Sequence, residues 1–191
     1  MPAATTFPAA APGRTARAGR AVVAAMLLLF AGAAAAAEPP AAPVKVLVFP
    51  FELVDSSQEG ESDGARADQQ ARLELLTTEL ATLLRASGRY ETVALDAARA
   101  DYDRLGPMRN CNGCDIDIAR SVGAEQGMVG IVQKVSNLIL DVAVYVRDVE
   151  TGRVVQVAKT SIRGNTDESW LRGLRFVVDK RILAAPPAAA D

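Results

Sequence analysis

The 191-residue chain contains no histidine. Without an imidazole it holds no serine-histidine triad, no histidine-ligated zinc and no histidine-gated pH switch. Aromatic residues are scarce at 5%, with a single tryptophan, Trp170. Only two cysteines occur, Cys111 and Cys114. The phosphate-binding loop G-x-x-x-x-G-K-[ST], the G-x-S-x-G elbow and the dinucleotide turn G-x-G-x-x-G are all absent. These absences predict a non-enzymatic protein that needs no cofactor.

What is present first is an address. Arg14, Arg17 and Arg20 form a positive flank with no acid near it, and Ala21–Ala33 is an apolar run centred on Met26–Phe30. Ala35-Ala36-Ala37 then offers a small-residue cleavage site before Glu38-Pro39-Pro40. This is the anatomy of a secretory signal, with cleavage expected after Ala37 and a periplasmic or secreted destination. The run is mostly alanine and short for a membrane span of roughly 20 residues, so no stable membrane insertion is expected after cleavage. The chain carries 21 basic and 23 acidic residues, a net charge of −2, and loss of the signal's three arginines takes it to −5. A mildly acidic domain lacks the basic footprint of a nucleic-acid partner.

The remainder divides simply. Residues 38–43 are a Pro/Ala linker and residues 184–191 (AAPPAAAD) a tail expected to be disordered. Residues 44–183 read as one α/β domain. Val44–Phe51 is apolar at nearly every position, as a strand covered on both faces would be, with Pro50 ending its pairing. Ser56–Gly64 reads as an exposed loop. Leu73, Leu76, Leu80, Leu83 and Leu84 make a helical stripe between about Arg66 and Ala86, stopped by Ser87-Gly88. Strands follow at Tyr90–Leu95, Gln126–Val135, Leu138–Arg147 and Arg153–Arg163, the last two as a hairpin around Asp148–Gly152. In the third of these, Leu138, Leu140, Val142, Val144 and Val146 share one face. Short helices are expected over Asp96–Leu105 and Asp115–Val122. A final helix runs from Asn165 to about Leu183, with Leu171, Leu174, Val178 and Ile182 inward. The order β-α-β-(α)-α-β-β-β-α predicts a mixed sheet of about five strands with helices packed on it.

The strand KVLVFPF, the helix closing on ASGRYETV, and the segments GAEQGMVGIVQKVSN and LDVAVYVRDVETGRVV resemble the amino-terminal module of the TolB family, with related domains in CsgG-like curli-secretion proteins. The segments CNGCDIDIARSVGA, VGIVQKVSNLIL and SIRGNTDESWLRGL more closely resemble a bacterial family of secreted proteins of unknown function, over most of residues 44–183. The resemblance implies a small envelope protein that contacts other, unidentified envelope proteins. It brings no assigned activity. TolB's propeller does not follow this module here, so propeller-based functions do not carry over.

Three constellations could carry chemistry. The Cys111-Asn112-Gly113-Cys114 turn is expected to close as a structural disulfide in an oxidising compartment, contributing about 2 kcal/mol. The sharper reading is a thiol–disulfide accessory protein, with one sulfur activated at a helix N-terminus. Against it, Asp115 and Asp117 would raise a thiolate's pKa. Metal binding would need further ligands, and the local aspartates make a poor zinc set. Second, Lys134, Asn137 and Arg163 could converge as a cationic pocket for a carboxylate-bearing small ligand, whereas the plainer reading is turn chemistry and solvent-facing charge. Third, Asn165 and Trp170 could form a polar site with an aromatic wall. The plainer reading is helix capping with Trp170 packed partly against the sheet.

Overall fold

The computed structural model describes residues 42–64 and 66–184. The signal peptide (1–37), most of the 38–43 linker and most of the 184–191 tail lie outside the described residues. The elements are β1 (Val44–Val48), β2 (Glu52–Asp55), α1 (Gln58–Asp63), α2 (Ala67–Ala86), β3 (Tyr90–Val93), α3 (Arg99–Leu105) and α4 (Cys114–Ser121). They are followed by β4 (Gln126–Lys134), β5 (Leu140–Asp148), β6 (Val154–Ile162) and α5 (Asp167–Val177), which runs on through a wide π turn at Val178–Ile182. The strand order is β3-β1-β4-β5-β6, with β2 also lying along β4. β1 and β2 pair parallel to β4, β1 pairs parallel to β3, and β4-β5-β6 is an antiparallel meander. The mixed α/β class is therefore as expected, with six strands rather than about five.

The extra strand comes from a break in Val44–Phe51. Val48 lies opposite Met128 and Glu52 opposite Ile131, so three residues on one side face two on the other. This is a bulge centred on Pro50, which has no N–H to give the ladder. The slip exchanges the faces. Leu47 and Phe49 join the core under α4, whereas Phe51, two residues on, joins the opposite core under α2. Phe51 lies where a side chain on residue 130 would be, because a Cβ on Gly130 would fall into its ring.

The larger core lies between one sheet face and the helices α2 and α5. Leu73, Leu76, Leu80 and Leu84 supply the α2 stripe as expected, with Leu83 packed at its margin. On α5, Trp170, Leu174 and Val177 are fully buried, and Val178 and Ile182 extend the stripe through the π turn, whereas Leu171 is only partly buried. The smaller core joins Leu47, Phe49, Met108, Ile116, Ala119 and Val129 beneath α3 and α4. These short helices cover β1 and β4 but leave the same face of β5 and β6 bare, where Val154 is 51% and Val157 55% exposed.

Two local expectations change. Ser56–Gly64 is not a plain loop: Ser57 caps a helical turn by accepting from the Gly60 N–H, forming α1. Gly60 is needed there because a Cβ would collide with the Asp55 side chain. Leu138 does not join the buried row of β5; it lies in the preceding turn, 72% exposed, while Leu140, Val142, Val144 and Val146 are buried.

The bulge yields a direct test. Gly130→Ala is expected to lower stability by about 1–3 kcal/mol in urea unfolding, through overpacking against Phe51. Combined with Phe51→Leu, it should cost less than the sum of the two single changes, since both act on one contact. Additive costs would remove Phe51 as the reason for the glycine.

Candidate functional site

Four of the five polar and aromatic residues proposed from sequence meet in one hydrogen-bonded chain where α1, the β4–β5 turn and the start of α5 come together. The Lys134 ammonium donates to Asp55 Oδ2 at 3.1 Å and Glu59 Oε2 at 3.3 Å. Asn137 Nδ2 donates to Glu59 Oε1 at 2.7 Å, Asn165 Nδ2 donates to Asn137 Oδ1 at 3.0 Å, and Trp170 Nε1 donates to Asn165 Oδ1 at 3.0 Å. Arg72 lies over the Trp170 ring at 5.9 Å and reaches Asp167 at 2.7 Å. Arg163 stays outside this chain, exposed on the far side of Gly164. A cationic pocket does not form around Lys134, because that residue is fully buried and matched by two carboxylates. Thr166, rather than Asn165, caps α5: it accepts from the Ser169 N–H, and the Ser169 hydroxyl in turn accepts from the Thr166 N–H. This leaves Asn165 free to hold the tryptophan.

The electrostatics follow from burying one cation. Burial pushes the Asp55 carboxyl up, but hydrogen bonds from the Ser57 hydroxyl and N–H and from Lys134 outweigh it and leave its pKa lowered. The Asn137 amide, then Lys134, lower that of Glu59. Sequence reasoning found Lys134 and Asn137 but missed their acidic partners, which lie almost eighty residues upstream, Glu59 within the segment read as loop and Asp55 just before it.

The cysteine turn lies on the other face. Cys111 and Cys114 are joined as a disulfide with their Cα atoms 5.6 Å apart, and Gly113 takes a left-handed conformation (φ 99°) to open α4. Two buried carboxylates hold the turn in place. Glu52 on β2 accepts from the backbone N–H groups of Met108 and Arg109 and pairs with the Arg109 guanidinium at 2.8 Å. Asp115 on α4 takes a guanidinium nitrogen of Arg147 on both its oxygens, at 2.9 and 3.2 Å. Asp117 is exposed and pairs with Arg120 at 3.0 Å. Each aspartate next to the cysteines therefore has an arginine partner, which weakens the electrostatic objection to a thiolate there.

Between this turn and the bare sheet lies a cleft of about 410 Å³, walled by Arg109–Asn112 and Asp115 and floored by Val129, Ile131, Tyr145, Arg147 and Val154. Its rim continues onto β6, which has no strand on its outer side among the described residues. From Arg153 to Arg163 this segment carries three basic residues and no acid. Tyr145 and Arg147 were missed from sequence. Their places in the alternation of β5 mark them as facing away from the main core, but nothing local shows that a turn thirty residues upstream lands beside them. Among the described residues no group of acidic residues and cysteines could hold a metal ion, and no helix is long and apolar enough to cross a membrane.

Lys134→Met leaves Asp55 without its cation and is expected to cost about 3 kcal/mol in chemical denaturation. Adding Asp55→Asn should restore part of that loss. In the unaltered protein, Asp55 and Glu59 have folded pKa values below their unfolded ones. Their contribution is complete above the ordinary carboxylate range near pH 4 and is lost as pH falls through the lowered values. The urea midpoint should therefore hold steady from pH 7 to about pH 5 and fall steeply below about pH 4, and less steeply in Asp55→Asn.

Comparison with known proteins places these features. No curated protein matches the chain. Among solved structures, the C-terminal domain of LpoB from Salmonella enterica matches with a TM-score of 0.46 and 18% identity, over 64% of this chain and 84% of that one. A PelC dodecamer subunit from Paraburkholderia phytofirmans matches at 0.47 and 17%, over 72% and 86%. TolB from Acinetobacter baumannii matches at 0.43 and 13%, over 78% of this chain but only 31% of that one. The family model DUF3280, described as "Protein of unknown function (DUF2380)", matches residues 44–182, and the chain belongs to that family.

Proposed function

We propose that this chain is an exported, non-catalytic protein that binds or supports another protein of the bacterial envelope, using the bare face and free edge of β6 together with the cysteine turn. In this reading residues 1–37 direct export, cleavage follows Ala37, and residues 44–183 work in the periplasm as one domain. The observation that carries it is the uncovered strip of sheet. An edge strand with half-exposed Val154 and Val157 offers a row of unpaired backbone groups, which proteins ordinarily shield. A partner strand would satisfy them. The flanking Arg153 and Arg163 repel a second copy of the same edge and suit a partner carrying acidic residues, while Lys159 is paired with Asp141 at 2.8 Å. Lys134, Asn137, Asn165 and Trp170 then serve the fold of this end of the sheet, and of the residues proposed from sequence Arg163 and the cysteine pair face the partner.

The disulfide in this reading is structural: it fixes the wall of the cleft. The absence of histidine and of catalytic motifs fits a binding role, as does the pairing of each buried carboxylate near the cleft with a guanidinium.

Photo-crosslinking in cells tests the reading. A benzoylphenylalanine at Val157 is expected to give discrete adducts with one or a few envelope proteins, and the same probe at the exposed Glu91 on β3 should not. Equal, diffuse labelling at both positions, or none at Val157, would count against this surface.

A further inference from the structure

The edge of the sheet opposite β6 holds a second, internal feature. β3 ends at Val93, opposite Leu47, and no strand among the described residues continues it alongside β2. The vacancy is a groove between α2 and the α3–Pro107 segment. It consists of a cavity of about 650 Å³ lined by Phe51–Leu53, Gln69, Leu73 and Pro107, and one of about 460 Å³ lined by Val48, Thr77 and Leu95. The two share Pro50, Gln70, Tyr102 and Asp103, so they run on from one another along the free edge.

Two sets of polar groups at this groove lack partners. In a parallel ladder, alternate residues turn both backbone groups to the same side. The Ser56 N–H goes to Lys134 on β4, so Leu53 turns its N–H and C=O outward, into the groove, while the outward N–H of Phe51 is taken by the Thr77 hydroxyl at 2.9 Å. Gln69, at the α2 position where the leucine stripe begins, is 1% exposed and lines the larger cavity, and neither its amide oxygen nor its nitrogen has a hydrogen-bond partner. A buried amide left unpaired costs stability that a leucine there would not. Most charged groups at the rim are matched, Arg66 with Asp68, Arg109 with Glu52, Asp55 with Lys134 and Arg99 with Asp103, while the exposed Glu74 has no ion pair among the described residues. The unpaired groups inside the groove are thus neutral donors and acceptors, with the one unmatched charge at its exposed rim.

We propose that this groove binds an extended, uncharged peptide segment of another protein, which adds as a short strand in line with β3. Its backbone pairs with the free edge at Leu53, and one of its peptide groups satisfies the Gln69 amide. Val48 to Asp55 spans roughly 20 Å, room for about six extended residues. The chain's own ends are poor occupants, because Glu38–Pro43 and Ala184–Asp191 are interrupted by prolines that bring no N–H to a ladder. The site is independent of the β6 surface.

The test is a displayed random hexapeptide library panned against the purified protein, followed by NMR titration with the enriched peptides. Uncharged, strand-forming sequences should be enriched, and their addition should move the Leu53 amide and Gln69 side-chain signals. Gln69→Leu should weaken binding by about tenfold or more while raising the thermal midpoint, because it removes the unpaired amide. Leu53→Pro, which removes the outward N–H and also narrows φ at that position, should weaken binding as well, with its thermal midpoint read alongside to confirm the fold. Val157 crosslinking should be unchanged in both variants, so the two surfaces are judged separately. No enrichment, equal enrichment on Gln69→Leu, or shifts confined to β6 would overturn the proposal.

Discussion

The fold turns on one extra residue at Pro50. Among the described residues, β4 is the only strand with partners of both kinds, parallel on one side and antiparallel on the other. Its parallel partner must change faces partway along, and the bulge does this. Upstream of it, Leu47 and Phe49 fill the core under α4. Downstream, Phe51 crosses to the α2 side over Gly130, and Glu52 comes to lie beneath the cysteine turn. Without the slip, Glu52 would enter the apolar core under α2, and the N–H groups of Met108 and Arg109 would lose their acceptor. The position of the cysteine turn, and so of the cleft beside it, depends on a register shift in a distant strand.

Charge is buried in this protein only where it is answered. Lys134 has Asp55 and Glu59, Asp115 has Arg147, and Glu52 has Arg109 and two backbone donors. Such pairs contribute little net stability over apolar residues of the same size, since desolvation offsets most of the attraction. What they contribute is position. Each ties a short local segment to a particular strand: α1, read from sequence as loop, to the end of β4, the cysteine turn to β2, and the expected helix α4 to β5. Gln69 breaks this pattern, buried with nothing to answer its amide.

The sequence makes period and punctuation legible and leaves long-range pairing hidden. The leucine stripe of α2, the stop at Ser87-Gly88 and the β5–β6 hairpin around DVETG are all local patterns, and each forms where its pattern predicts. Pro50 shows that the first strand is interrupted but not that it resumes, because a bulge depends on the opposite strand. α1 was hidden because its six residues contain no buried side chain and no apolar period. It is held by Ser57 and by Lys134, one adjacent and one on another strand. Likewise, the candidate polar residues were identified by type, while their roles depend on partners far away in sequence. Lys134 looked like a free cation because Asp55 and Glu59 do not lie near it along the chain.

The two uncovered edges have different physical characters. β6 is basic, half-exposed and reachable from solvent along its length, so long-range attraction can steer a partner to it and fall away with salt. The groove beside β2 is enclosed by helices, internally neutral in its ion pairs, and offers directional hydrogen bonds instead. Such groups gain little from distance-dependent attraction and much from the exclusion of water once filled. In the binding roles proposed for them, one edge would meet a partner through charge and the other would recognise backbone shape.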